Sequence, residues 1–193
     1  PVSGRTYNYI AIGMYESNVE LLPSLRSMSG ELYGFNRTVW REDSKKINWA
    51  LVSNTVNNTI YSYFFRNMPP SNKVHLSELA DSIEKSVKSW SKNNNKYSIS
   101  YGKRLAQEII EWSKLDGGDL GPFQNFPEEF KPIDCLSCWK KTAPGYLPSL
   151  LPYWGSNRQM LEKSHLAVKD CKLYEFSIDT NSLMFQEALM VLE

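Results

Sequence analysis

The residue types that carry covalent or metal chemistry are few in this sequence and lie far apart. Cys135-Leu136-Ser137-Cys138 forms a C-x-x-C, and Cys171 is the remaining cysteine. A structural zinc site needs four thiolate or imidazole ligands, and only Cys171 and His165 are left to complete a set, at a spacing that matches no finger or ribbon. Thioredoxin-like redox chemistry places such a pair at a helix N-terminus after a strand, and no βαβ pattern is present. What remains is a disulfide from one of the pair, Cys135 or Cys138, to Cys171, or buried thiols. In an exported protein the disulfide is the expectation, and it leaves one thiol free.

The two histidines, His75 and His165, have no i, i+4 partner of the kind a metalloprotease helix requires, and no G-x-S-x-G nucleophile motif occurs. His75 is expected just before the cap of a helix, as an ordinary surface or cap histidine. Asp116-Gly117-Gly118-Asp119 lacks the alternating oxygen ligands and the closing Glu of a calcium loop, so it reads as a helix-ending turn. Trp139, Tyr146, Tyr153 and Trp154, interleaved with Pro144, Pro148 and Pro152, offer a candidate ligand- or sugar-stacking face. The competing expectation is that these rings plug the core, where large aromatics mostly sit. Asn36-Arg37-Thr38 and Asn57-Asn58-Thr59 fit the glycosylation acceptor pattern, the second of them in mid-helix.

Composition narrows the classes further. The 193 residues carry 22 Lys and Arg against 21 Asp and Glu, a formal charge of +1, so no strong field gathers nucleic acid or acidic lipid. Hydrophobic residues at 41% are enough to build a core, so the chain should fold and not stay disordered. No apolar run approaches the roughly 18 residues of a membrane span, and no Gly-rich phosphate loop is present. The chain opens Pro1-Val2-Ser3-Gly4, without methionine or leader, as expected of a processed or trimmed terminus.

The elements that would position any site are helical, because period-two alternation is nearly absent. The pattern predicts helices over 4–22, with Tyr7, Ile10, Ala11, Met14 and Tyr15 on the buried stripe, and over 47–66, closed by Pro69-Pro70. A third is predicted over 77–92, capped by Ser77, with Leu79, Ala80, Ile83, Val87 and Trp90 buried and Asn93-Asn94-Asn95 as its breaker. A fourth runs over 98–115 and carries Tyr101, Leu105, Ala106, Ile109 and Trp112. A fifth starts at Ser182, with Phe185, Ala188, Leu189 and Leu192 at helical spacing and no stop signal before Glu193. The expected fold is all-α: a four-helix layer over 1–116, a Pro-rich irregular strap over 117–181 and a truncated helix over 182–193, forming one helical domain or half-domain.

Several segments, in order, resemble one family. Val2 to Tyr9 with Ala11 and Met14-Tyr15-Glu16 is similar to the opening helix of bacterial proteins in the type 2 phosphatidic acid phosphatase and vanadium-dependent haloperoxidase superfamily. Tyr101-Gly102-Lys103 with Leu105-Ala106, Ile109-Ile110, Trp112 and Asp116-Gly117 resembles a later helix of that family. Trp139 to Pro144, then Leu151-Pro152-Tyr153-Trp154-Gly155 with Arg158, resembles its proline-rich crossing segment, and Asn181-Ser182 with Phe185, Glu187 and Ala188 resembles the start of the helix that follows.

The resemblance implies an all-helical enzyme with an oxyanion pocket built from a Lys and Arg-Pro, a Pro-Ser-Gly-His, and an Arg with a Gly-x-His. Cations and backbone donors there neutralise phosphate or vanadate, while histidines attack or move protons. None of these motifs occurs in the sequence, and Lys163-Ser164 precedes His165. No catalytic, cofactor-binding or metal residue is therefore carried over. The expectation is the N-terminal half of an exported protein, periplasmic or membrane-anchored outside the cytoplasm. Its partner would be the missing C-terminal half, a homodimer is a further option, and vanadate would bind only the full-length protein. The alternative is a non-catalytic helical binding or scaffold module that uses the aromatic 139–154 face.

Overall fold

The computed structural model describes residues 2–22, 24–38, 47–90, 95–121, 123, 125–163 and 174–192. Among them are five α-helices and no strand: α1 Val2–Glu16, α2 Trp49–Phe64, α3 Pro70–Trp90, α4 Asn95–Lys114 and α5 Leu183–Leu192. Two single 3₁₀ turns, Val19–Leu21 and Trp154–Ser156, are also present among the described residues. The all-α expectation holds.

Local chemistry explains where the helices begin. Asn48 caps α2, its side-chain oxygen accepting the Leu51 N–H at 3.2 Å, so an otherwise orphan donor is satisfied. Pro69-Pro70 does not merely close the second helix, as the sequence pattern suggested: Pro70 opens α3, where the first turn needs no N–H from it. Ser77 is consequently an exposed mid-helix residue and not a cap, and His75 is an exposed residue of the same helix. Asn95, expected in a breaker, opens α4. Ser182 does cap α5, its hydroxyl accepting the Phe185 N–H at 3.2 Å and donating to the Asp179 carbonyl at 2.7 Å.

Contacts divide the chain into two compact units. The first, Pro1–Gln124 with Tyr153–Leu161, holds α1 to α4. The closest crossing is between α2 and α4, where Gly102 permits it: a Cβ there would lie 2.9 Å from the Val52 carbonyl oxygen and 2.9 Å from Thr55 Cβ. Leu51, Val52, Val56, Leu105, Ala106 and Ile109 fill that seam with no solvent exposure. Tyr9 on α1 stacks on Phe64 at 5.4 Å between ring centres and meets Trp112 edge-on at 5.0 Å, an arrangement that the ring quadrupoles favour.

Two buried faces differ from the expected ones. α1 turns Arg5, Thr6, Tyr9, Gly13 and Glu16 inward along with Ile10 and Ile12, while Tyr7, Ala11 and Met14 are exposed. Charged groups occupy that core face because each finds a partner there, which hydrophobic periodicity does not register. On α3 only Ala80 and Val87 are buried; Leu79 and Ile83 are open, and the Trp90 side chain lies outside the described set.

The second unit, Asn125–Pro152 with Glu162–Glu193, is irregular apart from α5. Its turns are held by backbone bonds such as Leu151 N–H to the Asn125 carbonyl at 2.7 Å and Tyr146 N–H to the Thr142 carbonyl at 2.9 Å. The stretch read as one Pro-rich strap is thus shared between the units, since Tyr153–Leu161 packs with the helices.

Candidate functional site

The helical unit is organised around two buried ionic clusters. In the first, Arg5 of α1 reaches Asp116, just past α4, with Nε 2.6 Å from Oδ2, while its Nη2 donates to the Ser113 carbonyl at 2.7 Å. Tyr9, one turn on from Arg5, donates its hydroxyl to the same Oδ2 at 2.8 Å, and the Gly118 N–H satisfies Oδ1 at 2.7 Å. Arg158 closes the cluster. Its Nη2 donates to the Tyr9 hydroxyl at 3.1 Å and to the Trp112 carbonyl at 3.0 Å, its Nη1 donates to the Tyr33 carbonyl at 2.6 Å, and its guanidinium lies 4.4 Å from the centre of the Trp112 ring. Burial first, and the neighbouring Asp116 carboxylate second, hold the Tyr9 phenol well above its ordinary value.

The second cluster joins α1 to α4 through Arg37. Its Nη1 donates to Glu16 Oε2 at 2.9 Å and its Nη2 to the Tyr101 hydroxyl at 2.5 Å. Glu16 also accepts from Ser27 Oγ at 2.8 Å and from the Met28 N–H at 2.6 Å. Both side chains of the Arg37–Glu16 pair are fully enclosed. Burial opposes the charge on Arg37, but Tyr101 and Glu16 outweigh it and the pKa rises. Burial likewise raises the Tyr101 phenol, against the pull of Arg37. A third, shallower group links Tyr63 to Asp119 at 2.8 Å, with Arg66 stacked 4.8 Å from the Tyr63 ring centre.

These clusters are the residues that reading by residue type missed, although Arg5, Tyr9 and Glu16 were quoted within the family segments. The available signal was spacing: Arg5, Tyr9 and Glu16 are separated by four and seven positions on one helix and so share a face. The arrangement is structural, since Arg5, Arg37 and Arg66 already face carboxylates and Arg158 is spent on carbonyls and a phenol. These four arginines therefore do not converge as uncompensated donors on one point, which is what phosphate or vanadate would require of them. Asp116 and Asp119 of the expected turn serve as anchors for these arginines, and Gly117 takes the left-handed conformation there at φ +86°.

The candidate aromatic face is divided. Trp139 and Tyr146 belong to the irregular unit, Tyr153 and Trp154 to the helical one. Trp154 is partly buried against Gly121, whereas Trp139, Tyr146 and Tyr153 are half exposed or more. The expectation that all four rings plug the core is corrected: none is buried, because the Pro-rich turns carrying them leave one side open. Trp139 instead lines a groove of about 470 Å³ with Phe130, Ile133, Cys138, Leu150 and Pro152. A wider groove of about 850 Å³ lies in the helical unit, between the Asn54, Asn57 and Asn58 edge of α2 and Leu79 and Ile83 of α3.

The cysteine expectation is also corrected. Cys135 bonds to Cys138, which uses both thiols of the C-x-x-C within one turn, so neither bridges to Cys171. Three residues of separation put the two sulfurs within reach before any tertiary contact forms. Disulfide sulfurs are not thiolate donors, so this pair cannot supply the zinc ligands considered above. Cys171 and His165 lie outside the described residues. Among the acceptor asparagines, Asn36 is exposed, and Asn57 is partly buried with its amide near Ser53 Oγ at 3.4 Å.

No family model matches the sequence, and no curated protein matches it. Among solved structures the chain is similar to one described as the first bacterial vanadium-dependent iodoperoxidase, with a TM-score of 0.76 and 21% identity. The likeness covers 100% of this chain and 45% of that one, so the chain spans less than half the length of that protein. At this identity the likeness speaks to the fold, which is helical in both.

Proposed function

We propose that this chain is the supporting, N-terminal half of a larger helical enzyme of phosphatase or haloperoxidase type, whose oxyanion pocket is built by sequence outside these 193 residues. The observation that carries this reading is the fold likeness, which takes in the whole chain but only 45% of the iodoperoxidase chain. The pairing of Arg5 and Arg37 with carboxylates inside the helical unit agrees with a supporting role for these two residues. The role assigned to its residues is rigidity: the Arg5–Asp116 and Arg37–Glu16 clusters lock α1 to α4, so that the helices present a fixed surface to the catalytic half.

On this reading the substrate is a phosphate ester or, with vanadate bound in the other half, halide and peroxide. The protein is bacterial and exported, and the superfamily's pocket motifs lie in the remaining sequence. No helix among the described residues is long and apolar enough to cross a membrane. The test is the coding sequence and the intact mass of the natural protein, followed by two assays on it: phosphate-ester turnover, and halide oxidation with vanadate and peroxide. Residues beyond Glu193 that carry an Arg-Pro, a Ser-Gly-His and a Gly-x-His, with one of the two activities, are the expected result. A natural stop codon after Glu193 overturns the proposal.

The half-exposed Trp139 and Tyr146 favour a second reading, a non-catalytic binding or scaffold module. A monodisperse, cooperatively melting monomer of the 193-residue chain supports that reading; dimerisation or aggregation through apolar surface supports the half-enzyme.

A further inference from the structure

The C-x-x-C turn is absorbed neither by the helical core nor by the proposed enzymatic role, and three features of it bear on one chemistry. The disulfide ties residues only three apart, in a turn already closed by the Cys138 N–H to Cys135 carbonyl bond at 3.3 Å. Disulfides stabilise chiefly by closing long loops, so this one contributes little to holding the fold. The turn is also open to solvent: both cysteines are only partly buried, Leu136 and Ser137 between them are exposed, and Cys138 lines the 470 Å³ groove beside Trp139. Finally, the two sulfurs are not equivalent. The Ser137 hydroxyl lies 3.5 Å from Cys135 Sγ, whereas it is Cys138 that lines the groove.

We propose that Cys135–Cys138 is a reversible dithiol–disulfide exchange site whose reductant is a dithiol. One thiolate of the dithiol attacks Cys138 Sγ from the groove; a new S–S bond forms, the Cys135–Cys138 bond breaks, and its electron pair leaves on Cys135 Sγ. The Ser137 hydroxyl donates a hydrogen bond to that sulfur and so favours its negative charge, which speeds departure. The second thiolate of the dithiol then attacks the mixed disulfide and releases Cys138. The dithiol ends oxidised by two electrons, and Cys135 and Cys138 end reduced, taking up the two protons the dithiol has lost. The closed turn keeps the thiols adjacent, so the reverse exchange, in which they reduce a disulfide and rejoin, needs no distant partner. This site stands independently of the proposed enzymatic role.

The experiment uses the intact 193-residue chain, incubated with dithiothreitol at graded concentration, quenched with a maleimide and mapped by peptide mass, with far-ultraviolet circular dichroism followed in parallel. The expected result is two labels on the Cys135–Cys138 peptide while helicity is unchanged, and no label when the reduced chain is treated with oxidised glutathione before the quench. Ser137→Ala should slow reduction several-fold, and Cys138→Ser should leave Cys135 open to labelling in the folded protein. Mapping that finds either cysteine bridged to Cys171 overturns the site, as does labelling that appears only after helicity is lost. An unchanged rate in Ser137→Ala overturns the assignment of Cys135 as the leaving sulfur.

Discussion

Helices α4 and α5 put the same force to opposite ends. α4 is rich in polar residues, yet Leu105, Ala106 and Ile109 are completely enclosed against α2. In α5 only Gln186 and Glu187 are polar, yet none of its residues is buried, and Val191 and Leu192 are 88% and 83% exposed. The more apolar helix is the less covered one. Hydrophobicity supplies the tendency to bury, about 1.5–3 kcal/mol for a Val or Leu side chain, but burial needs a complementary surface, and in α5 only Met184 and Phe185 are even partly covered. If the proposed second half exists, the exposed apolar side chains of α5 are a candidate surface for it.

The sharpest way to break this contrast is to unpair a charge inside the enclosed region. Glu16→Ala takes from Arg37 its enclosed carboxylate and leaves it only the more exposed Glu20, 3.6 Å from Nη2, so the expected loss is about 3 kcal/mol, the lower end for breaking a buried pair, read as a fall in the urea midpoint. Replacing both partners by apolar residues of similar volume should restore much of the loss, because the cost lies in the orphaned charge. A smaller effect is expected for Gly102→Ala. The added methyl meets the Val52 carbonyl at 2.9 Å in the α2–α4 seam, and overpacking of this kind costs about 1–3 kcal/mol. A Gly102→Ala protein as stable as the parent would show that the seam yields, and the contrast with α5 would lose its basis.

Much of this architecture is legible in the sequence. The α2 and α4 faces follow from Val52, Val56 and Ile60 and from Leu105, Ile109 and Trp112, all at helical spacing and all buried. The α1 face is not, because Arg5 and Glu16 count as surface residues until their partners Asp116 and Arg37 are known, and those lie 111 and 21 positions away. Pro70 misleads for a local reason, since the same residue that stops one helix is well suited to start another. The candidate face from Trp139 to Trp154 is contiguous in sequence but divided between two units, which no periodicity reveals. The Cys135–Cys138 bond departs from the expected pairing to Cys171, because three cysteines allow more than one pairing and spacing alone does not choose among them.

A pH-dependent effect is smaller again and confined to the helical unit. Burial and the adjacent Asp119 carboxylate push the Tyr63 phenol up to about 12, from 10.0. The folded state therefore holds this proton more tightly than the unfolded chain does. Its contribution to stability is complete below pH 10 and declines as the pH rises from 10 toward 12. Urea midpoints should fall over that window, and Tyr63→Phe should flatten part of the fall. A titration of the tyrosinate absorbance that shows all tyrosines ionising together near pH 10 would contradict the enclosed environment.

The smallest expected effect tests α5 itself. Val191 is almost fully exposed, so Val191→Lys removes no packing from the 193-residue chain and should change its stability by no more than about 0.5 kcal/mol. It should also reduce self-association, because a charge now interrupts the apolar end of the helix. If the chain is half of a larger enzyme, the same substitution in the natural protein places a lysine in an interface, where an unpaired buried charge costs several kcal/mol. The comparison is therefore between one substitution in two lengths of chain. A near-zero effect in the short form with a large one in the long form identifies α5 as the surface awaiting its partner. A large effect in the short form would mean that α5 is already packed, and the contrast with α4 would fall.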